Sequence, residues 1–317
     1  MGMRPLTEHL LKPADRVEVT VLVDNYIDIF VPPATAVDRR LPFDPDRQIM
    51  AEHGFSCLVR VVAGKKEHTV LLDTGLSRDC MAWNARQLGV DLHAVEAVVL
   101  SHGHFDHTGG LFAVFCGAGR QVPLVVHPDA FLRRRMNGPK GIAELPRLDA
   151  VGLKKAGADI LQRKGPSTLA AGHLLVTGEV ERKTSFEKGM PGMEMFTDGA
   201  WVPDPIRDDQ AIVIHVKDRG LVVVSGCAHA GIVNTVEYAK KITGTGHVHA
   251  VLGGFHLTGP AFAKVVSPTV DAVKTIDPEY VVPMHCTGLD AINRFMAAMP
   301  GKCILNTAGT TYVFGGE

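Results

Sequence analysis

The sequence predicts an α+β protein built as a four-layer αββα sandwich, with two mixed sheets flanked on their outer faces by helices. Three observations carry this expectation. Two hairpins, one turning at Gly64–Lys66 and one joining QAIVIHV (210–216) to GLVVVSG (220–226), each open a run of alternating helix and strand. Both hairpins end in a small polar turn, LLDTG at 71–75 and SGCAH at 225–229. No GxGxxG follows an early strand, which together with the hairpins weighs against a doubly wound parallel sheet and a dinucleotide site. The chain is expected to form one domain over 1–317. It would be made of two similar halves at about 17–130 and 205–315, with an irregular insert at about 131–200.

Each element has a local reason. VEVTVLVDN (17–25) is β-rich and short enough for a strand. The stretch 42–54 carries turn residues and is expected as loop or short helix. SRDCMAWNARQLGV (77–90) suits a helix, with Ser77 as N-cap and Gly89 as stop. AVEAVVL (94–100) is a buried strand, TGGLFAVFCGAG (108–119) a helix, and VPLVVHPDA (122–130) a strand and its exit. The middle is less periodic: one helix within 138–160, a strand with a polar loop in GHLLVTGEVER (172–182), then a long irregular loop over 184–205. Order returns with helices at 231–244, 263–276 and 288–299, strands at 247–254 and 280–285, and a final sheet segment at 303–314.

Composition excludes little but directs the search. The chain has 317 residues, 46% of them hydrophobic, with 33 Lys plus Arg against 34 Asp plus Glu. A net charge of -1 gives no global attraction to nucleic acid or an acidic membrane. RRR at 133–135 is a local basic candidate, with an exposed helix face as the plainer reading. The start, MGMRPLTEHL, lacks the apolar core of a secretory leader, and no run reaches the roughly 18 apolar residues of a membrane span. Six scattered cysteines without a CxxC pair are expected as buried thiols in a reducing compartment. A cytoplasmic protein is therefore expected, and a homodimer is the usual oligomer.

The chemistry concentrates in SHGHFDHTGG (101–110). Imidazole and carboxylate are the usual ligands of a borderline divalent metal. In an extended segment His102 and His104 point the same way and can take one ion together. A turn at Phe105 lets Asp106 and His107 reach a second. Further donors stand beyond later apolar strands: His229, His256 and His285, at the strand ends where αβ sheets keep their sites. Asp73 is read as a carboxylate holding a ligand imidazole in place, with helix capping as the alternative. Asp24, Asn25 and His53 lie on polar breaks and are candidate pocket residues, turn chemistry being the other reading.

HGHFDH matches the HxHxDH signature of the metallo-β-lactamase fold superfamily, and LLDTG matches its upstream strand-end aspartate. The resemblance covers about 17–315. TGEVER, DDQAIVI, GLVVVSGCAHAGIVNTV, LGGFHL and PMHCTG resemble a narrower branch. It is labelled 7,8-dihydropterin-6-methyl-4-(β-D-ribofuranosyl)aminobenzene 5′-phosphate synthase-like and otherwise called metal-dependent hydrolases. The resemblance implies His102 and His104 as ligands of a first metal, with Asp106, His107 and the late His285 as ligands of a second. It also implies a bridging aspartate after the strand that opens the second half, where this chain has Cys227. Cys227 is thus either a thiolate ligand or a buried thiol. The histidine common before that hairpin is absent from RDDQA, and His229 is expected to supply the imidazole.

The resemblance implies two divalent ions, zinc first and manganese or iron as alternatives, acting on a small anionic substrate. The leading expectation is a metal-dependent hydrolase that uses hydroxide from the binuclear site on a small phosphoester, phosphodiester or ester. Asp106 and His107 would carry the chemistry. One alternative is a synthase-like transferase that joins a dihydropterin diphosphate to an aminobenzene ribotide. Another is a non-catalytic metal-containing sensor or electron-transfer protein. Candidate substrate contacts are Arg182 as an anion fork, Glu179 near it, Phe255 as a stacking platform, and His256, His53 and Asn25 around the metals.

Overall fold

The computed structural model describes residues 11–138 and 141–316. The expectation drawn from residues 1–10, that they form no secretory leader, lies outside the described residues. An eight-stranded sheet runs in the order Asp38–Arg39, Thr311–Gly315, Arg16–Val23, Ser56–Ala63, Lys66–Leu72, Ala97–Val99, Val122–Val126 and Ala158–Gln162. The strands as far as Lys66–Leu72 pair antiparallel and the remainder parallel. A six-stranded sheet runs Ser167–Leu169, Leu174–Val176, Ala211–Val216, Gly220–Ser225, Val248–Gly254 and Tyr280–Met284, with the last two strands added in parallel.

Three apolar clusters make the layers. One lies between the two sheets and draws Val19, Val59 and Tyr312 from the first, Ile214, Val222 and Leu252 from the second. Helices Cys80–Gln87, Leu111–Gly117 and Ala150–Ala156 cover the outer face of the first sheet. Helices Ile232–Thr243, Ala263–Ile276 and Leu289–Ala298 cover the second. The αββα sandwich expected from the two hairpins is the observed architecture. The first hairpin pairs Ala63 with Lys66 across Gly64, whose φ of +61° suits the turn. The Ser77 hydroxyl accepts the Cys80 N–H at 3.1 Å, and so caps the first helix from three residues upstream.

The middle of the chain departs from expectation. Residues expected as an irregular loop fold into a third, four-stranded antiparallel sheet: Ala200–Pro203, Met193–Thr197, Arg134–Gly138 and Gly141–Glu144. The RRR run leads into one of its strands, Arg134–Gly138, and is not a helix face. Arg134 is buried, with ion pairs to Asp204 and Asp208, while Arg133 and Arg135 lie over Trp201. The cysteines are mixed as well: four are buried, Cys303 is half-buried and Cys116 is exposed. Cys116 sits on the solvent side of its helix, one position past the buried Phe115.

Candidate metal centre

The site forms where the ends of the two sheets meet. The buried Ala97–Val99 strand delivers Ser101 and His102, and a single 3-10 turn, Phe105–His107, swings Asp106 and His107 inward. The second half supplies Cys227 and His229 after the Gly220–Ser225 strand, His256 after Val248–Gly254, and His285 after Tyr280–Met284. Four residues bordering the site, Asp73, Ala228, His256 and His285, hold positive φ values of 57°, 53°, 43° and 48°. Such strain persists only where the surroundings over-determine it, and it gathers at functional sites.

Two groups of donors result. His102, His104 and His229 bring one ligand atom each within 4.8 Å of one another, and so do Asp106, His107, Cys227 and His285. His102 Nε2 and His229 Nε2 are 3.2 Å apart, and His107 Nε2 is 3.1 Å from Cys227 Sγ. His285 Nε2 lies 3.3 Å from Asp106 Oδ2. Cys227, His229 and His256 make a third, overlapping group, and Cys286 Sγ lies 3.2 Å from Cys227 Sγ.

Asp73 organises both groups from behind. Its Oδ2 accepts His107 Nδ1–H at 2.7 Å and the Ser101 hydroxyl at 2.6 Å, and Oδ1 accepts the Ser101 N–H at 2.7 Å. Because Ser101 spends its proton on Asp73, its oxygen accepts from His102 Nδ1 at 2.9 Å. His102 therefore turns its Nε2 lone pair into the cluster, and His107, held by Asp73 through Nδ1, directs its Nε2 there as well. Asp73 thus plays no part in capping the helix that follows it. The same crowding explains Gly226, where a Cβ would stand 2.1 Å from Ser101 Oγ.

Charge and burial suit cations. Burial, reinforced by neighbouring histidines, lowers the pKa of His102 and His229, and burial with nearby Arg134 takes His104 down to about 3. These three imidazoles are neutral donors at pH 7. Burial also opposes charge on His107, but Asp73 and Asp106 outweigh it and lift His107 to about 9. Burial pushes the Asp106 carboxyl up, yet His107 and His285 outweigh it and hold it well below the usual carboxylate range. A positive charge is favoured between these groups, and a metal ion supplies one. His104 Nε2 and His285 Nε2 are buried without hydrogen-bond partners, the condition a metal relieves. The donor set fits one or two divalent ions.

The other candidates divide by position. Asn25 reaches His285 and His53 by hydrogen bonds. His53 is exposed, with Nε2 3.6 Å from Asp106 Oδ2. His256 packs against His229 at 4.3 Å between ring centres and lines a cavity of about 220 Å³ with Phe186, Phe262, Leu257 and Glu187. Phe255 lines this cavity too, but it is buried and packs edge-on against Phe295. Phe262, edge-on to His256 at 4.9 Å, is the ring nearer the mouth. Glu179 and Arg182 line a separate recess with Arg207 and Asp209, across the 228–231 segment. The Arg182 guanidinium donates to the Pro205 and Ile206 carbonyls.

Several supporting residues escaped the sequence reading. Ser101 and Cys286 are each adjacent to a histidine that was singled out, and adjacency was the only signal. Asp208 accepts the Gly103 N–H at 2.8 Å while pairing with Arg134. Gln210 Nε2 donates to the Leu100 carbonyl at 2.8 Å. The RDDQ stretch thus clamps the histidine loop, although it carries no metal ligand itself.

A buried binuclear-type cluster at the meeting edges of an αββα sandwich defines a metallo-hydrolase architecture, and residues 53–285 match the metallo-beta-lactamase superfamily. The chain belongs to that superfamily. It is an enzyme of the metallo-hydrolase/metallo-beta-lactamase superfamily, with a His/Asp/Cys centre able to take one or two divalent ions. More particularly, it is 33% identical over 251 residues to the 7,8-dihydropterin-6-methyl-4-(beta-D-ribofuranosyl)-aminobenzene-5'-phosphate synthase of Methanocaldococcus jannaschii, covering 78% of this chain and 84% of that one. A second, uncharacterised protein of the same organism is 31% identical, over 81% of this chain and 95% of its own length. Among solved structures, a metal-dependent hydrolase of the beta-lactamase superfamily aligns with a TM-score of 0.74 and 25% identity, over 95% of this chain and all of that one.

Proposed function

We propose that this chain is a metal-dependent group-transfer enzyme that couples a dihydropterin-methyl diphosphate to an aminobenzene ribotide; the name of its Methanocaldococcus relative gives the joined dihydropterin-methyl-aminobenzene phosphate as a product. The observation that carries the reading is that relative's 33% identity over most of both chains. The aromatic cavity beside His229 and His256 supports it, since a flat ring system suits Phe186 and Phe262. In the reaction, the arylamine nitrogen bonds to the methylene carbon, the bond from that carbon to the diphosphate oxygen breaks, and diphosphate leaves. The amine proton is released to solvent.

His102, His104 and His229 would hold one divalent ion, and Asp106, His107, Cys227 and His285 the other. When bound, the ions supply positive charge for the leaving diphosphate. Zinc is the first expectation because a thiolate donor in the second set disfavours manganese, with iron next. The protein's part is to keep the imidazoles neutral and aimed, and to exclude water from the buried side of the ring cavity.

A hydrolase acting on a small phosphoester or ester is the second reading, favoured by the likeness to the solved metal-dependent hydrolase. Incubating the metal-loaded protein with both coupling partners separates the two. Coupled product in equal amount to diphosphate supports transfer, whereas diphosphate or phosphate without coupled product supports hydrolysis. The free cysteines favour a reducing, cytoplasmic setting. A homodimer is proposed on general symmetry grounds alone, and light scattering decides it.

A further inference from the structure

Asn25 uses every hydrogen-bonding position of its side chain. Oδ1 accepts the Gly54 N–H at 3.1 Å, and Nδ2 donates to the His285 carbonyl at 3.3 Å. These two backbone partners fix which end of the amide is oxygen and which is nitrogen, since an N–H cannot accept and a carbonyl cannot donate. The amide then dictates two rings. Oδ1 lies 2.9 Å from His285 Nδ1, which must donate. Nδ2 lies 3.2 Å from His53 Nδ1, which must accept. A neutral His285 accordingly presents a bare Nε2 to the cluster, and a neutral His53 presents an Nε2–H.

Both Nε2 atoms face the same oxygen, Asp106 Oδ2, at 3.3 Å for His285 and 3.6 Å for His53. The two rings lie 5.2 Å apart. They differ in setting. The His285 side chain is fully buried, whereas that of His53 is 59% exposed. His53 belongs to none of the metal-capable groups among the described residues. An exposed N–H at the lip of a cationic centre suits an anionic substrate oxygen, and a bare nitrogen does not.

We propose that Asn25 is a positioning residue that sets opposite tautomers in two histidines, leaving His285 as a metal ligand and making His53 a hydrogen-bond donor to a phosphate oxygen of the substrate. The proposal deepens the metal-centre reading above and rests on it for the role of His285. It assigns His53 no proton transfer, because the nitrogen that would act as base is already occupied by Asn25.

The test uses zinc-loaded full-length protein with ¹⁵N-labelled histidine. Side-chain nitrogen spectra report directly which nitrogen of each ring carries the proton, and loss of one signal set in His53→Gln identifies His53. The expected result is a protonated Nε2 and bare Nδ1 for His53. In Asn25→Asp the side chain offers only acceptors, so the His53 proton should move to Nδ1 while zinc content is kept. Inorganic phosphate should bind about tenfold more weakly to His53→Ala, the loss of one charge-assisted hydrogen bond. A bare Nε2 on His53 in the unaltered protein, an unmoved proton in Asn25→Asp, or unchanged phosphate binding in His53→Ala would each overturn the proposal. If the unaltered protein retains no zinc, the metal-centre reading fails, and the His53 signature in the same sample still decides the tautomer claim.

Discussion

Each imidazole of the centre that can be assigned is told which nitrogen to offer by a neighbour on its far side. Asp73 does this for His107 directly and for His102 through the Ser101 hydroxyl. Asp73→Asn removes the carboxylate that accepts three N–H or O–H groups at once. We expect metal affinity to fall by about 10- to 100-fold, read by competition with a chromogenic chelator, with the fold retained. Cys227 stands where the family resemblance implies a bridging aspartate. Cys227→Asp should raise affinity for a harder ion such as manganese at the Asp106–His107–His285 group. Unchanged manganese binding would mean that Cys227 is packing and not a ligand. Replacing His102 and His104 together by Ala should remove at least one metal equivalent and the activity, with circular dichroism unaltered.

At the scale of elements, the third sheet reaches the centre through one buried pair. Arg134, on the Arg134–Gly138 strand, holds Asp208, which in turn holds the Gly103 N–H. Arg134→Met leaves Asp204 and Asp208 buried without a counter-charge. A loss of about 3–5 kcal/mol is expected, measurable by urea unfolding, together with weaker metal binding at His102 and His104. Gly103→Ala probes the same loop from the opposite side, because a Cβ there would stand 2.3 Å from the Ala130 carbonyl oxygen.

The sheet itself was hidden in the sequence by its Gly, Pro and Met content, which breaks the two-residue alternation of a half-buried strand. One signal of it is legible. Asp198–Gly199 is a two-residue hairpin loop with φ of 50° and 81°, flanked by the Thr197–Ala200 pair, and Asp-Gly is the dipeptide such a turn favours. The central strands of the two main sheets are readable because they are Val/Ile/Leu-rich and bounded by small polar turns, whereas the edge strands Asp38–Arg39, Ala158–Gln162 and Ser167–Leu169 carry too few such residues to be read. The candidate ligand histidines His102, His229 and His285 are readable because each stands just beyond the end of such a run. The residues that aim them, Ser101 and Asp208, look like ordinary loop polar residues, so only the folded geometry shows their use.

For the whole molecule, the centre is a joint. The first sheet contributes HGHFDH and the second contributes Cys227, His229 and His285, over a shared apolar layer between the sheets. A metal bound to donors from both halves stabilises only the folded chain. At a free metal concentration 1,000 times Kd this is worth about 4 kcal/mol. Removing metal with a chelator should therefore lower Tm by several degrees, and adding back zinc should restore it. A melting temperature indifferent to chelator would mean that the halves are held by packing alone.

The most direct measurement is metal content per chain by elemental analysis, on protein purified without added metal or chelator and again after reconstitution. About two equivalents of zinc, iron or manganese per chain are expected for a binuclear centre. A chain that takes up no divalent metal after reconstitution would contradict the account.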